Sequence, residues 1–162
     1  MKKLLISLTV VLLASCLAHA SYIEDEITEF AYQQYPENEH MQYLVYSREA
    51  RAYNYLLTVD DYEVLEIAAQ QYPRNYSMQK IVYEKQLSAK QYMESAIDYE
   101  IEAIAVLEHP YDYCKQQITY EKQLNAKQYM EYVTNYDVEA LAIQRFPEDY
   151  WKQRSFYNKL AD

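Results

Sequence analysis

The chain has 162 residues, a formal net charge of -10, 21 tyrosines and no glycine. Without glycine there is no GxxxxGK(S/T) phosphate loop, no GxGxxG dinucleotide turn and no GxSxG nucleophile elbow, and two-residue β-hairpins lose their favoured turn residue. The negative charge disfavours nucleic acid and anionic membrane surfaces as partners, which leaves an all-α chain with a partly phenolic core.

The first 20 residues read as a signal peptide. Lys2 and Lys3 form a basic start, and Leu4 to Ala14 is an apolar run too short to span a bilayer comfortably. Ala18-His19-Ala20 is an A-x-A cleavage pattern, so 21–162 is the expected helical repeat domain. A second reading overlaps it. Leu13-Ala14-Ser15-Cys16 resembles a bacterial lipobox, which would end the signal at 15 and put lipid on Cys16. Either reading implies export by a bacterium, to the periplasm or beyond it, or to a membrane anchor. After cleavage before Ser21 only Cys114 remains, so no intrachain disulfide is expected. Cys114 is either a small buried hydrophobe or a thiol able to link two chains.

From residue 26 onward the sequence repeats. Pro36, Pro73, Pro110 and Pro147 are spaced by 37 and are the only prolines. Ala31, Ala68, Ala105 and Ala142 lie five residues before them, and Gln42, Gln79, Gln116 and Gln153 lie six after. The units are 26–62, 63–99, 100–136 and a truncated 137–162, about three and a half repeats.

Each unit predicts two helices, about eight in all. The short one is clearest at 61–71, with Asp61, Asp98 and Asn135 as N-caps and carboxylates crowding the first turn. It must stop before proline, which pushes the preceding residue out of the α region. Asn38, Asn75, Asp112 and Asp149 then cap a second helix of about 20 residues, such as 76–95. Its apolar arc is wide enough to touch neighbours on two sides, as in a stacked αα-hairpin solenoid. Every turn uses Pro-x-Asn/Asp or an Asp/Asn cap, so no residue is expected to need a positive φ.

Tandem helix–turn–helix units of this size resemble the tetratricopeptide-like superfamily of αα-repeats. The resemblance covers 26–162 and rests on period and pattern. Tetratricopeptide units run about 34 residues and favour glycine, whereas this chain has unequal helices and none. The resemblance implies a superhelical architecture and a habit of binding proteins, and it transfers no residue roles.

No residue constellation calls for catalysis, and an enzyme is not expected. There is no HExxH motif, Cys/His cluster or EF-hand spacing, so neither a metal nor another cofactor is expected. His109 stands in the column of Tyr35, Tyr72 and Phe146, which reads as a substitution in an aromatic slot. The polar column Gln42, Gln79, Gln116 and Gln153 and the ring column Tyr46, Tyr83, Tyr120 and Tyr157 are the candidate binding residues. Two readings stand for the glutamines. They bond the carbonyls closing the preceding short helix or a neighbouring Tyr hydroxyl, or they form a donor row on an exposed groove. Of the tyrosines, most columns read as core and at least one as an exposed contact surface.

The expected function is a protein- or peptide-binding scaffold or adaptor of the bacterial envelope. The alternative is a binder of glycan or peptidoglycan fragments through exposed tyrosines. The truncated last unit, near Trp151 and Phe156, also suggests self-association or partner docking at that end.

Overall fold

The computed structural model describes residues 21–161, so the expected signal segment and Cys16 lie outside the described residues. Within them the fold is all-α, eight helices with no strand. α1 covers 21–34, α2 Glu39–Leu56, α3 Tyr62–Gln71, α4 Tyr76–Glu94, α5 Tyr99–Glu108, α6 Tyr113–Met130, α7 Tyr136–Arg145 and α8 Tyr150–Ala161. Helix starts step along the chain with the proline period. α3, α5 and α7 are the short helices, each of 10 residues.

The caps explain where helices begin. The side chains of Asp61, Asp98 and Asn135 accept from the Val64, Ile101 and Val138 amides. Asn38, Asn75, Asp112 and Asp149 do the same for Met41, Met78, Lys115 and Lys152 at the long helices. Each fills one of the donors that a helix start leaves without an internal partner. Proline explains where the short helices end. Tyr72, His109 and Phe146 leave the α region at φ -134, -138 and -138. A turn then closes with Asn75 N donating to Tyr72 O at 3.2 Å, and likewise around the other three prolines.

One turn departs from the expectation that no residue needs a positive φ. Arg74 has φ 64, and among the described residues it is alone in this. With proline before it, this is the geometry of a type II turn, which usually takes glycine or asparagine there. The Arg74 guanidinium reaches Glu26 Oε2 at 3.6 Å.

The described chain comprises two compact units, one ending at Tyr83 and one starting at Glu84, a division that falls within α4. In the first unit Ile27, Ala31, Val45, Ala52, Val64, Ala68 and Tyr83 are buried. In the second, α5 packs on α6, α7 on α8, and α6 on α8. One cluster there joins Met93, Ile101, Ala105 and Tyr120, with Leu124 and Tyr150 packed against it. Another joins Met130, Ala142 and Tyr157, flanked by Val133, Val138 and Phe156. The buried alanine before each proline lets the short helix approach its long partner closely, because a larger side chain would overpack that contact. No described helix is long and apolar enough to cross a membrane.

Candidate binding surface

The glutamine column lies at the joint between short and long helix. Gln42 Nε2 donates to Tyr35 O at 2.7 Å, Gln79 to Tyr72 O at 2.8 Å, Gln116 to His109 O at 2.7 Å and Gln153 to Phe146 O at 2.7 Å. Each acceptor is the carbonyl before proline, which also receives the turn amide. The long helix therefore grips the end of the short one and fixes the angle between them. Gln79, Gln116 and Gln153 are buried and Gln42 is half-buried. Of the two readings, the bond to the closing carbonyl describes all four, and no donor row faces solvent at Gln79, Gln116 or Gln153.

The tyrosines beside them are also interior. Tyr83, Tyr120 and Tyr157 are buried, and Tyr46 is half-buried. Tyr120 Oη accepts from the Ile97 and Asp98 amides at 3.2 and 3.3 Å, and Tyr157 Oη accepts from Asn135 N at 3.1 Å. A phenol thus fills the core with its ring and caps a backbone end with its oxygen, which leucine or phenylalanine could not do.

A third polar column joins consecutive hairpins. Gln86 Oε1 accepts from Cys114 N at 3.1 Å, and Gln86 Nε2 donates to Asp112 Oδ1 at 3.0 Å. Gln123 repeats this with Trp151 N at 3.0 Å and Asp149 Oδ1 at 3.2 Å. In the first unit the residue is Glu49, fully buried, which accepts from Ser77 N at 2.9 Å and from the Ser77 hydroxyl at 2.6 Å. There the helix cap is Asn75 rather than aspartate. Each clasp thus holds a single carboxylate, with the Ser77 hydroxyl between Glu49 and Asn75 and Arg48 3.0 Å from Glu49. The corresponding position of the last repeat is Leu160, which is exposed.

Phenol–carboxylate pairs strengthen the same seams. Tyr76 Oη donates to Glu26 Oε1 at 2.7 Å, and Tyr150 Oη to Glu100 Oε2 at 3.1 Å. Burial, then the Glu26 hydrogen bond and charge, pushes the Tyr76 phenol well above its ordinary value. Lys127 Nζ lies 2.7 Å from Asp98 and 3.4 Å from Glu100, and sits over the Tyr150 ring at 5.1 Å. The Asp98 bond raises the lysine, and Lys127 in turn holds Asp98 below the usual carboxylate range. Burial, with Asp112 nearby, pushes the Cys114 thiol up, so this half-buried cysteine is a weak nucleophile.

What remains on the outside is a different tyrosine column. Tyr62, Tyr99 and Tyr136 open α3, α5 and α7 and are 75%, 78% and 74% exposed. Among the described residues their rings and hydroxyls have no partner. Near the last two, Ile97 and Tyr132 are also exposed. Two small clefts open in the second unit. One, of about 260 Å³, is lined by Tyr129, Tyr132, Val133, Thr134 and Tyr157. The other, of about 210 Å³, is lined by Trp151, Arg154, Ser155 and Asn158.

No protein-family model, curated protein or solved structure matches the chain.

The exposed column was visible as a periodic tyrosine, but its place after the N-cap did not set it apart, since Tyr76, Tyr113 and Tyr150 also follow a cap and are half-buried. The Trp151 cleft has another signal. Its four residues differ from those at the same positions of the earlier repeats.

Proposed function

We propose that the chain is an exported helical-repeat scaffold of the bacterial envelope that binds protein or peptide partners, with Tyr62, Tyr99 and Tyr136 as contact residues. The observation that supports this reading is the exposure of all three rings, each without an intramolecular partner among the described residues. Solvated tyrosine with nothing to pack on contributes little to folding, yet it gives large contact area at low entropic cost when a partner covers it. Glu63, Glu100 and Asp137 follow the three rings in sequence, and the chain has a net charge of -10, which favours a basic segment that can place a cation on a ring.

Site-specific photo-crosslinking tests this. A photoreactive phenylalanine at 62, 99 or 136 should capture a discrete envelope protein, and one at 120 should not. Tyr99→Ala with Tyr136→Ala should abolish binding of that protein and leave the thermal unfolding curve in place. Capture from position 120 alone, or binding indifferent to the double variant, would overturn the proposal.

A further inference from the structure

We infer that the last repeat carries a binding pocket for a carboxylate-bearing sugar, in the cleft lined by Trp151, Arg154, Ser155 and Asn158. This goes beyond peptide binding and uses a different surface. The repeats supply an internal comparison. At the position of Trp151 the two preceding repeats have Ser77 and Cys114, and at Arg154 they have Lys80 and Gln117. At Ser155 they have Ile81 and Ile118, and at Asn158 they have Glu84 and Glu121. The columns of Trp151 and Arg154 differ in every repeat, whereas Ser155 replaces an aliphatic residue and Asn158 the glutamate of the two preceding repeats, and the four residues of the last repeat line one cleft. The changes remove an apolar side chain and a carboxylate and introduce an indole, a guanidinium, a hydroxyl and an amide.

The chemistry of the cleft is that of a donor set. Asn158 Oδ1 accepts from the Tyr129 hydroxyl at 2.9 Å, which turns the amide nitrogen to other use. Among the described residues, that nitrogen, the Ser155 hydroxyl and the Arg154 guanidinium have no hydrogen-bond acceptor. Two cations stand at the cleft without a carboxylate. Arg154 lies over the Tyr129 ring at 4.5 Å, and Lys122 over the Trp151 ring at 4.3 Å. Neither forms an ion pair among the described residues. A ring holds a cation in place without neutralising it. In a chain of net charge -10, α8 carries Lys152, Arg154 and Lys159 and no acidic residue.

These features select a ligand. Donors that lack acceptors call for an oxygen-rich molecule, and the uncompensated cations call for an anionic one. The indole, still 42% exposed, offers an apolar flank beside the polar groups. A sugar presents an apolar ring face and a rim of hydroxyls, and a carboxylate on it completes the match to Arg154 and Lys122. About 210 Å³ of open space suits one sugar unit rather than a long chain.

The test uses the one tryptophan of the chain as its own probe. The protein would be titrated with D-glucuronate and N-acetylmuramate, then with N-acetylglucosamine, glucose and acetate, following Trp151 fluorescence and heat of binding. The sugar acids should give a saturable response, and the neutral sugars and acetate should bind at least about tenfold more weakly, since one charge-assisted hydrogen bond is worth that factor. The triple variant Arg154→Gln, Ser155→Ile, Asn158→Glu installs the residues of the preceding repeat, which that repeat already accommodates. It should unfold at the temperature of the parent or within a few degrees, and lose at least about tenfold in affinity. Absence of a saturable response to either sugar acid overturns the inference. So does equal binding of acetate or a neutral sugar, or unchanged affinity in the folded triple variant.

Discussion

Gln86 donates to the carboxylate of Asp112 at 3.0 Å, from one hairpin to the cap of the next long helix. Both groups are at least partly buried, and the pair carries a single negative charge. The sequence respects that charge count. Where the clasp residue becomes Glu49, the cap becomes Asn75. Gln86→Glu should therefore set two carboxylates against each other and lower the unfolding free energy by about 2 kcal/mol or more. Adding Asp112→Asn should recover most of the loss. Urea denaturation of the single and double variants measures the coupling, and a pair of additive effects would contradict the clasp.

The grip of Gln116 on His109 O gives a second prediction. Gln116→Ala leaves a carbonyl at a packed joint with one donor fewer, at a cost of about 1–3 kcal/mol. Thermal unfolding should fall by several degrees. Partner binding through the exposed tyrosines, measured below the lowered transition, should be unchanged.

Tyrosines of the two kinds should respond in opposite ways. Tyr120→Phe keeps the ring and removes the acceptor of the Ile97 and Asp98 amides, so stability should drop by about 1 kcal/mol. Tyr99→Phe and Tyr136→Phe touch exposed rings and should stay within about 0.5 kcal/mol of the parent. Equilibrium unfolding of the three variants side by side distinguishes the classes.

Acid should weaken the fold over a defined range. Lys127 is the main cause of the lowered Asp98. Burial opposes the shift at Asp112 and Asp149, but hydrogen bonds outweigh it, from Gln86 and Lys115 at Asp112 and from Lys152 and Gln123 at Asp149. A carboxyl lowered on folding stabilises above the unfolded value of about 3.9 and loses that contribution as pH falls through the folded value. The urea midpoint should thus be level near neutrality and decline between about pH 5 and pH 2. Lys127→Met should make that decline shallower, because Asp98 then titrates nearer its unfolded value.

Much of the fold was legible because its determinants are local. A proline forbids helix at the residue before it, and an Asp or Asn three residues before an orphan amide caps it. Repetition of such signals fixed the helix boundaries to within a residue or two. The naming of Gln79 and Tyr83 as candidate binding residues, beside a structural reading, followed from their persistence in every unit. In a repeat fold, persistence also marks a contact that recurs at each joint, and that is where these residues lie. The clasp escaped because Gln86 and Cys114 meet only after 28 residues of intervening helix and turn have folded. Arg74 escaped because a non-glycine residue carries no sequence sign of a positive φ.

The clasps also have a direction. In all three, the residue that receives the helix amide precedes it by 28 positions in the chain. In synthesis from the amino end Glu49, Gln86 and Gln123 are made first, and each waits for the helix amide that comes 28 residues later. Folding that starts at the amino end can close each seam as soon as the next turn and helix start emerge. Each seam therefore needs only the hairpin before it and the first residues of the next long helix, and Leu160, at the corresponding position of the last repeat, offers no side-chain acceptor.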